Sequence, residues 1–507
     1  MNTTGRAENS VTGCTGIQEG KKRMGRYILN RQFWLRGWHG LPYGIYDTKM
    51  KRALFVDEES YQVIMKCDAE QEIDPDSLSE RQKRLLAEMT RDHIVSKAGP
   101  YDFLGREQAY TAYPARYREE VHWSITGACN LKCRHCFMSA PEAKHGEPSL
   151  DELRNIADQL KECGYFNVSL TGGEPLIRKD LPEFLDLLKE RGITVSTIFS
   201  NGWLISESLL DMLEEKGFHP SFQLSFDGVG WHDFLRGVYG AEARTARALE
   251  LLQKRRIPVT VSMCMHRKNA HVIRDSISFL AKLGVHSVKL SQMMELGAWA
   301  DPDLEPLKLT GEEQYSIYER YIPQYFEDDA PTALILGGTF FYFPGSSDYG
   351  MNFVRHCSKE KEGKTLTCAV LGKTFYIGAD GMVAPCQGMA DCEFAKNFPS
   401  LKDASLKEIL TDSAYVNLSY ATVKEVHEGN EDCRECPYTD RCTGGCRNSA
   451  LISGNHYYGS DPEACYFFRS GWDKRIDAAA RPALEAYLNR HPEYRGKEPA
   501  SGQNVCL

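Results

Sequence analysis

The sequence predicts an α/β protein: a partial (β/α)6 TIM-like barrel, preceded by a small α+β N-terminal domain and followed by a cysteine-rich C-terminal domain. Three observations carry this. Between residues 115 and 300, six β-rich runs alternate with helical patterns. Directly after the first run come Cys129, Cys133 and Cys136, in C-x3-C-x2-C spacing. From 356 to 470 the chain is rich in Gly, Asp and Cys but poor in long periodic runs, as expected where metals do part of the work of a hydrophobic core.

Residues 1–25 lack the apolar core of a signal peptide and read as a flexible tail. In 26–114, "WLRGWHGLPYGIYD", a D-T-K turn and "RALFVDE" suggest a β-hairpin of two clear strands. "ESYQVIMKCDA" and "LSERQKRLLAEMTRDHIV" then suggest helices. The barrel strands of 115–300 are "VHWSIT", "NVSLTGG", "TVSTIFSNG", "SFQLSFDG", "PVTVSMCMH" and "SVKLSQMMELG". Ser149 and Glu152 make a capping box ahead of Leu153, Ile156 and Leu160, and a second helix runs from near Asp180 to just before Gly192. Six strands with their helices outside leave the barrel open where two more units would close it, which admits a large substrate from the side. The bridging region 301–355 holds one helix, capped by Thr310 and Glu313, and the aromatic stretch "GGTFFYFPG", read as buried core. A C-terminal helix and tail occupy 471–507, disordered from about 495 on composition.

With 507 residues and a net charge of −9, the chain is long enough for several domains and lacks the basic footprint of a nucleic-acid binder. No apolar run is long enough for a membrane span. A cytoplasmic location follows, in which 17 cysteines stay reduced and metal binding is the better default. Cys14, Cys67, Cys163, Cys264 and Cys506 stand alone and read as buried or incidental thiols. The others form two groups, at 129–136 and 357–465.

The first group sits at the C-terminal mouth of the barrel, where βα loops build active sites. Three thiolates on an iron-sulfur cubane leave one iron for a substrate or cofactor. On spacing alone, a zinc knuckle in a binding protein without catalysis stays open as the alternative.

The loop resembles the radical SAM signature, including Phe137 after the third cysteine. "TGGEP", residues 171–175, resembles the family's motif for the methionine amino group of S-adenosylmethionine, with Gly172 and Gly173 allowing close approach and Glu174 as an anionic acceptor. "LSFDG" at 224–228 is similar to the family's fourth-strand segment, which puts a ribose contact on Ser225, and "HDFLRG" at 232–237 continues the pattern. Asn201 of "SNG" is a further pocket candidate. Asn201, Ser225 and Asp227 could equally be polar strand ends that cap the following helix.

The second group runs Cys368-x12-Gly381-x4-Cys386, then Cys433-x2-Cys436-x5-Cys442-x3-Cys446, then Cys465. Its order resembles the SPASM extension of radical SAM proteins. The resemblance implies two auxiliary clusters, one on Cys368, Cys386 and Cys446 and the other on Cys433, Cys436, Cys442 and Cys465, and so three [4Fe-4S] clusters in all. Cys357, or its rival Cys392, would complete the first auxiliary cluster. If neither binds, an iron is left that can hold a substrate thiolate.

SPASM proteins act mostly on peptides and proteins. Sulfatase maturases place an aspartate base after the cysteine matching Cys386, whereas Gln387 stands here, and an amide takes no proton at neutral pH. Residues 26–114 are similar in size and character to the winged-helix-like domains that grip a leader peptide by strand addition. The resemblance therefore implies a peptide maturase that forms Cys thioether links: a 5′-deoxyadenosyl radical abstracts hydrogen, sulfur bonds to the carbon, and an auxiliary cluster takes the surplus electron. Carbon-carbon crosslinking, epimerisation and sulfatase-maturase-like oxidation are the alternatives. The implied partners are a precursor peptide with a leader sequence and an electron donor such as flavodoxin or ferredoxin, with neither nucleic acid nor membrane.

Overall fold

The computed structural model describes residues 25–497 except 141, 292 and 369. Apart from Gly25, the expected N-terminal tail lies outside the described residues, as do Cys14, Cys506 and the last ten residues. The chain divides into two units, one ending at Ala112 and the other made of Trp38–Gly40 with everything from Tyr113 onward.

The N-terminal unit contains β1 (Gly25–Leu29), β2 (Phe33–Trp38), β3 (Leu41–Asp47), β4 (Arg52–Phe55), α1 (Glu58–Met65), β5 (Asp68–Ile73), α2 (Glu80–Arg91), β6 (Val95–Lys97) and β7 (Thr111–Ala112). Asp57 caps α1, and a Ser79–Gln82 capping box starts α2. The expected two strands become seven. β1 lies between β5 and β6, antiparallel to both, and a second sheet runs in the order β4-β3-β2-β7. β5 was illegible because its segment "DAEQEI" exposes three polar residues in a row, and β6 is only three residues long. Leu29, Val63, Ile64 and Val95 form the centre of this unit's core.

In the second unit, β8 (Glu120–Ser124), α3 (Leu150–Glu162), β9 (Asn167–Thr171), α4 (Leu181–Glu190), β10 (Thr194–Ser200), α5 (Glu207–Lys216), β11 (Ser221–Ser225), α6 (His232–Arg236), α7 (Ala241–Lys254), β12 (Val259–Cys264), α8 (Ile273–Lys282) and β13 (Ser287–Ser291) follow one another. All six expected strands pair in parallel and in chain order. The alternation of burial sets the two faces: Phe222, Leu224, Val259, Val261 and Met263 are buried, while Gln223, Ser225, Thr260 and Ser262 alternate with them. The inward face is therefore polar, suited to a polar substrate rather than to a packed core.

The parallel sheet does not stop at six strands. β14 (Ala333–Leu336) extends it beside β13 and β15 (Phe340–Tyr342) turns back, while β16 (Thr374–Ile377) pairs in parallel with β8 and carries β17 (Val383–Ala384). Both edges thus come from regions expected to bridge or to hold cysteines, and the sheet remains open. "ALIL" and "TFYI" are four-residue apolar runs, too short to show a period. Within "GGTFFYFPG", Phe340 and Tyr342 are fully buried, but as a strand. α9 (Gly311–Glu327) starts at the Thr310–Glu313 capping box and packs on the C-terminal helix Trp472–Arg490. Among the described residues, no helix is long and apolar enough to cross a membrane.

Candidate cofactor and cluster sites

Cys129, Cys133 and Cys136 lie on the loop leaving β8, and the loop is held from three neighbouring strand ends. Gly173 N donates to Thr126 O and Glu174 N to Ala128 O, both at 2.9 Å. Arg134 N donates to Leu235 O after β11, and Ala298 N to Cys136 O after β13. Glycine is required at 172 and 173: a Cβ at Gly172 (φ +142) would stand 2.2 Å from Thr126 O, and one at Gly173 2.1 Å from Ala128 O. The adjacent glycines let the second strand's turn lie flush against the cysteine loop.

The thiols are suited to metal. Burial pushes Cys129 up to about 12, and burial also raises Cys136, while the Leu131 amide points at Cys129 Sγ and the Ala140 and Met138 amides at Cys136 Sγ. A bound cation would convert such thiols to thiolates that already have N–H partners. Arg236 Nη1 also donates to Cys133 Sγ, at 3.6 Å. Phe137 is 36% exposed.

Glu174, the expected acceptor, is engaged by the protein on both oxygens. Its side chain is fully buried, and its oxygens accept Leu176 N, Ser200 Oγ and Asn201 N at 3.2, 3.0 and 2.8 Å. Burial pushes its carboxyl up to about 7 against those three bonds. It ties the turn after β9 to the end of β10. Asn201 is brought to the loop, with Nδ2 2.8 Å from Asn130 Oδ1 and 3.9 Å from Cys129 Sγ. Ser225 ends β11, half-buried, and its hydroxyl has no partner among the described residues.

Asp227 turns inward, 0% exposed, accepting Arg236 Nε at 2.7 Å and Cys264 N at 3.1 Å. Burial would raise its carboxyl, but the Arg236 guanidinium and the His232 contact hold it far below the usual range. His135, which burial pushes down to about 3, and Cys264 lie close enough for ligand atoms of all three to fall within 4.8 Å of one another. Because Asp227 already accepts N–H groups on both oxygens and Arg236 occupies the cation's place, this is an ion pair behind the loop rather than a metal site. Cys264, read as an isolated thiol, and Arg236, noted only within a motif, were missed because their partners are strands apart.

The second group is assembled from distant segments. Cys433, Cys436, Cys442 and Cys465 line one cavity with Tyr438 and Phe468. Cys446, which burial pushes up to about 12, lies within the electrostatic reach of Cys386 and Cys368. Asp461, 1% exposed, joins the groups: its carboxylate accepts Cys446 N at 2.7 Å and Ser449 Oγ at 2.7 Å, and it caps the helix Pro462–Arg469, which carries Cys465. Thr367 Oγ1 donates to Thr443 O at 2.6 Å, strapping the segment before Cys368 to the same loop.

Of the two candidates for an eighth thiol, Cys392 lies in the apolar cluster against which Cys368 and Cys386 pack. Cys357 is buried, tied through its amide to Asp440 O, and its thiol faces Ser358 O. Cys392 is buried in the apolar cluster of Leu371, Tyr376 and Phe398, and its thiol donates to Met389 O at 3.2 Å. Gln387 Nε2 donates to Thr171 Oγ1 at 3.2 Å, which puts the Cys386 turn against the end of β9 and the barrel mouth.

Residues 123–280 match the family model of the radical SAM superfamily, and residues 368–437 match SPASM, an iron-sulfur cluster-binding domain. Among curated proteins, the AdoMet-dependent heme synthase of Methanosarcina barkeri is 25% identical over 68% of this chain and 96% of its own. The PqqA peptide cyclase of Gluconobacter oxydans is 27% identical over 67% and 88%, and the antilisterial bacteriocin subtilosin biosynthesis protein AlbA of Bacillus subtilis 25% over 66% and 68%. Among solved structures, Streptococcus suis SuiB bound to precursor peptide SuiA has the same fold, with TM-score 0.59 and 16% identity over 87% of this chain and 99% of that one. Residues 113–507 cannot by themselves make up that share, so the likeness takes in part of the N-terminal unit.

Proposed function

Since the chain belongs to the radical SAM enzymes that carry a SPASM domain, we propose that it modifies a ribosomally synthesised precursor peptide by linking a cysteine sulfur to a carbon of another residue. The observation that carries the thioether reading is the first auxiliary site. Three thiols, those of Cys368, Cys386 and Cys446, lie beside the barrel mouth, and the thiols of Cys357 and Cys392 are engaged by the Ser358 and Met389 carbonyls, Cys392 from within the cluster on which Cys368 and Cys386 pack. Such a site leaves room for a thiolate from the substrate.

In this reading Cys129, Cys133 and Cys136 hold the cluster that binds S-adenosylmethionine. Cys368, Cys386 and Cys446 hold one auxiliary cluster, and Cys433, Cys436, Cys442 and Cys465 the other. When bound, the cofactor and its cluster supply a 5′-deoxyadenosyl radical. Gly172 and Gly173 let the cofactor approach the loop closely, Asn201 and Ser225 offer polar side chains to it, Phe137 shields it, and Glu174 holds the two turns together while its carboxylate keeps acceptor capacity for the cofactor. Gln387 orients the auxiliary site toward the mouth without acting as a base.

The N-terminal unit, with its central β1 and two antiparallel neighbours, serves as the leader-peptide grip. An electron donor such as flavodoxin or ferredoxin feeds the first cluster in the cytoplasm. The likenesses to AlbA, to the PqqA peptide cyclase and to the SuiB–SuiA complex support a peptide substrate, and carbon-carbon crosslinking is the second reading.

The test is anaerobic incubation of reconstituted protein, expected to hold about twelve irons, with the precursor peptide encoded beside its gene. A thioether product loses two hydrogens per link and one alkylatable cysteine. Loss of hydrogens with every cysteine still open to alkylation would establish the second reading instead. An untouched peptide alongside turnover of a haem precursor would overturn both.

A further inference from the structure

Arg447 follows Cys446 directly and is 1% exposed. Its Nη1 donates to Tyr457 O and Gly459 O, each at 2.8 Å, and its Nη2 to Gly444 O. No carboxylate reaches it at ion-pair distance among the described residues, and its buried Nε has no hydrogen-bond partner. A buried cation without a counter-charge is costly, because carbonyl dipoles replace only part of the hydration it loses.

Other buried arginines solve this problem visibly. Arg236 is paired with Asp227, and Arg178 with Asp180 at 2.7 Å. Arg36 and Arg118 lie over the rings of Trp34 and Tyr420, at 4.8 and 4.5 Å. Arg447 has neither a carboxylate nor a ring. The carbonyls it holds lead to both thiol sets: it follows Cys446 of the first, Gly444 lines the cavity of the second, and although burial raises the Cys433 thiol there, the charge of Arg447 offsets part of that rise. Tyr457, whose carbonyl it also binds, lies within electrostatic reach of Cys368.

We propose that Arg447 is the fixed counter-cation shared by the two auxiliary clusters, a positioning residue that raises the affinity of both for an electron. A four-iron core held by thiolates is a net anion, and reduction adds further negative charge. A guanidinium locked nearby in a low-dielectric interior favours that step. The inference rests on the assignment of both thiol sets as clusters.

The experiment is an EPR-monitored redox titration in the full chain carrying Cys129, Cys133 and Cys136→Ala, so that only the auxiliary clusters report, compared with the same chain carrying R447Q or R447K. Glutamine can still donate to carbonyls but has no charge; lysine keeps the charge and loses the fork. R447Q should lower the reduction equilibrium of both clusters by about tenfold or more, a 59 mV shift for one electron, with iron content retained, while R447K stays near the parent. Loss of iron in R447Q alone would also support a counter-charge. Unmoved potentials in R447Q, or equal damage in both variants, would overturn it and leave Arg447 as a strap for three carbonyls. Parent protein with zinc and little iron would overturn the cluster assignment and the inference with it.

Discussion

Each of the two cysteine regions holds a thiol that burial pushes up to about 12, Cys129 in one and Cys446 in the other, yet the regions are built by different means. The three-cysteine loop is held by backbone: amides and carbonyls of three strand ends close on it, and glycines let those chains touch. The C-terminal region is held by side chains, with Asp461 capping across segments, Thr367 meeting Thr443, and Arg447 gathering carbonyls. A parallel sheet delivers neighbouring loops to one edge in fixed register, so backbone complementarity suffices there. Where no sheet does this, polar side chains and metals must assemble the site, and order depends more strongly on the metal.

The largest separation between the regions should come from the thiols themselves. Replacing Cys129, Cys133 and Cys136 by Ala should abolish reductive cleavage of S-adenosylmethionine and leave about eight irons on the auxiliary sites. Replacing Cys433 and Cys436 should spare some cleavage but end peptide modification. Release of 5′-deoxyadenosine by the triple variant would show the loop is not the cofactor site.

Next in size are the glycines. Gly173→Ala drives a methyl into the Ala128 carbonyl, a backbone atom that cannot swing aside, and should cost about 3 kcal/mol or more while removing cofactor cleavage. Gly445→Ala meets the Asp461 side chain at 2.4 Å with φ at +73, and should cost about 1–3 kcal/mol while lowering auxiliary iron only. Thermal melts and iron counts on both variants would refute the backbone-versus-side-chain distinction if each variant harmed both sites alike.

A smaller effect concerns the link between the regions. His145, in the loop after Cys136, lies 3.7 Å from Asp380 and 3.5 Å from Asp391, and these two carboxylates beside it push it up to about 9. A histidine raised in the folded state stabilises it fully below its unfolded value near 6.5, and that contribution is lost as pH rises to about 9. His145→Gln should therefore flatten the fall in stability across pH 6.5–9, by ~1–2 kcal/mol. Denaturant midpoints with the same slope in both proteins would count against the link.

The smallest effect on either cluster region should follow removal of residues 1–112. It takes away Trp38, which packs on Tyr113 and Tyr117, and so should cost a few degrees of Tm. Cofactor cleavage should persist while precursor affinity falls about tenfold or more. Unchanged affinity would move peptide recognition to the barrel mouth.

Chemistry that depends on neighbours along the chain was legible in advance. The six barrel strands, the capping boxes at Ser149 and Thr310 and the spacing of both cysteine groups are local patterns, set by side-chain alternation, N-cap bonding and ligand order. Contacts that join distant segments were not. Strands β14 and β16, each next to an edge of the sheet, are short, mostly apolar runs of four residues and acquire meaning only from the strand beside them. Glu174 looked like an open acceptor until the end of β10 supplied Ser200 Oγ and the Asn201 amide to its carboxylate. Arg236 needed Asp227 and Cys133, and Arg447 needed carbonyls at 444, 457 and 459, to become more than members of a run. The sequence by itself determined which thiols exist and in what order. Only the tertiary structure decided which of them meet and which charges stand beside them, because electrostatic energy depends on distance through space and on local burial, and neither can be read along a chain.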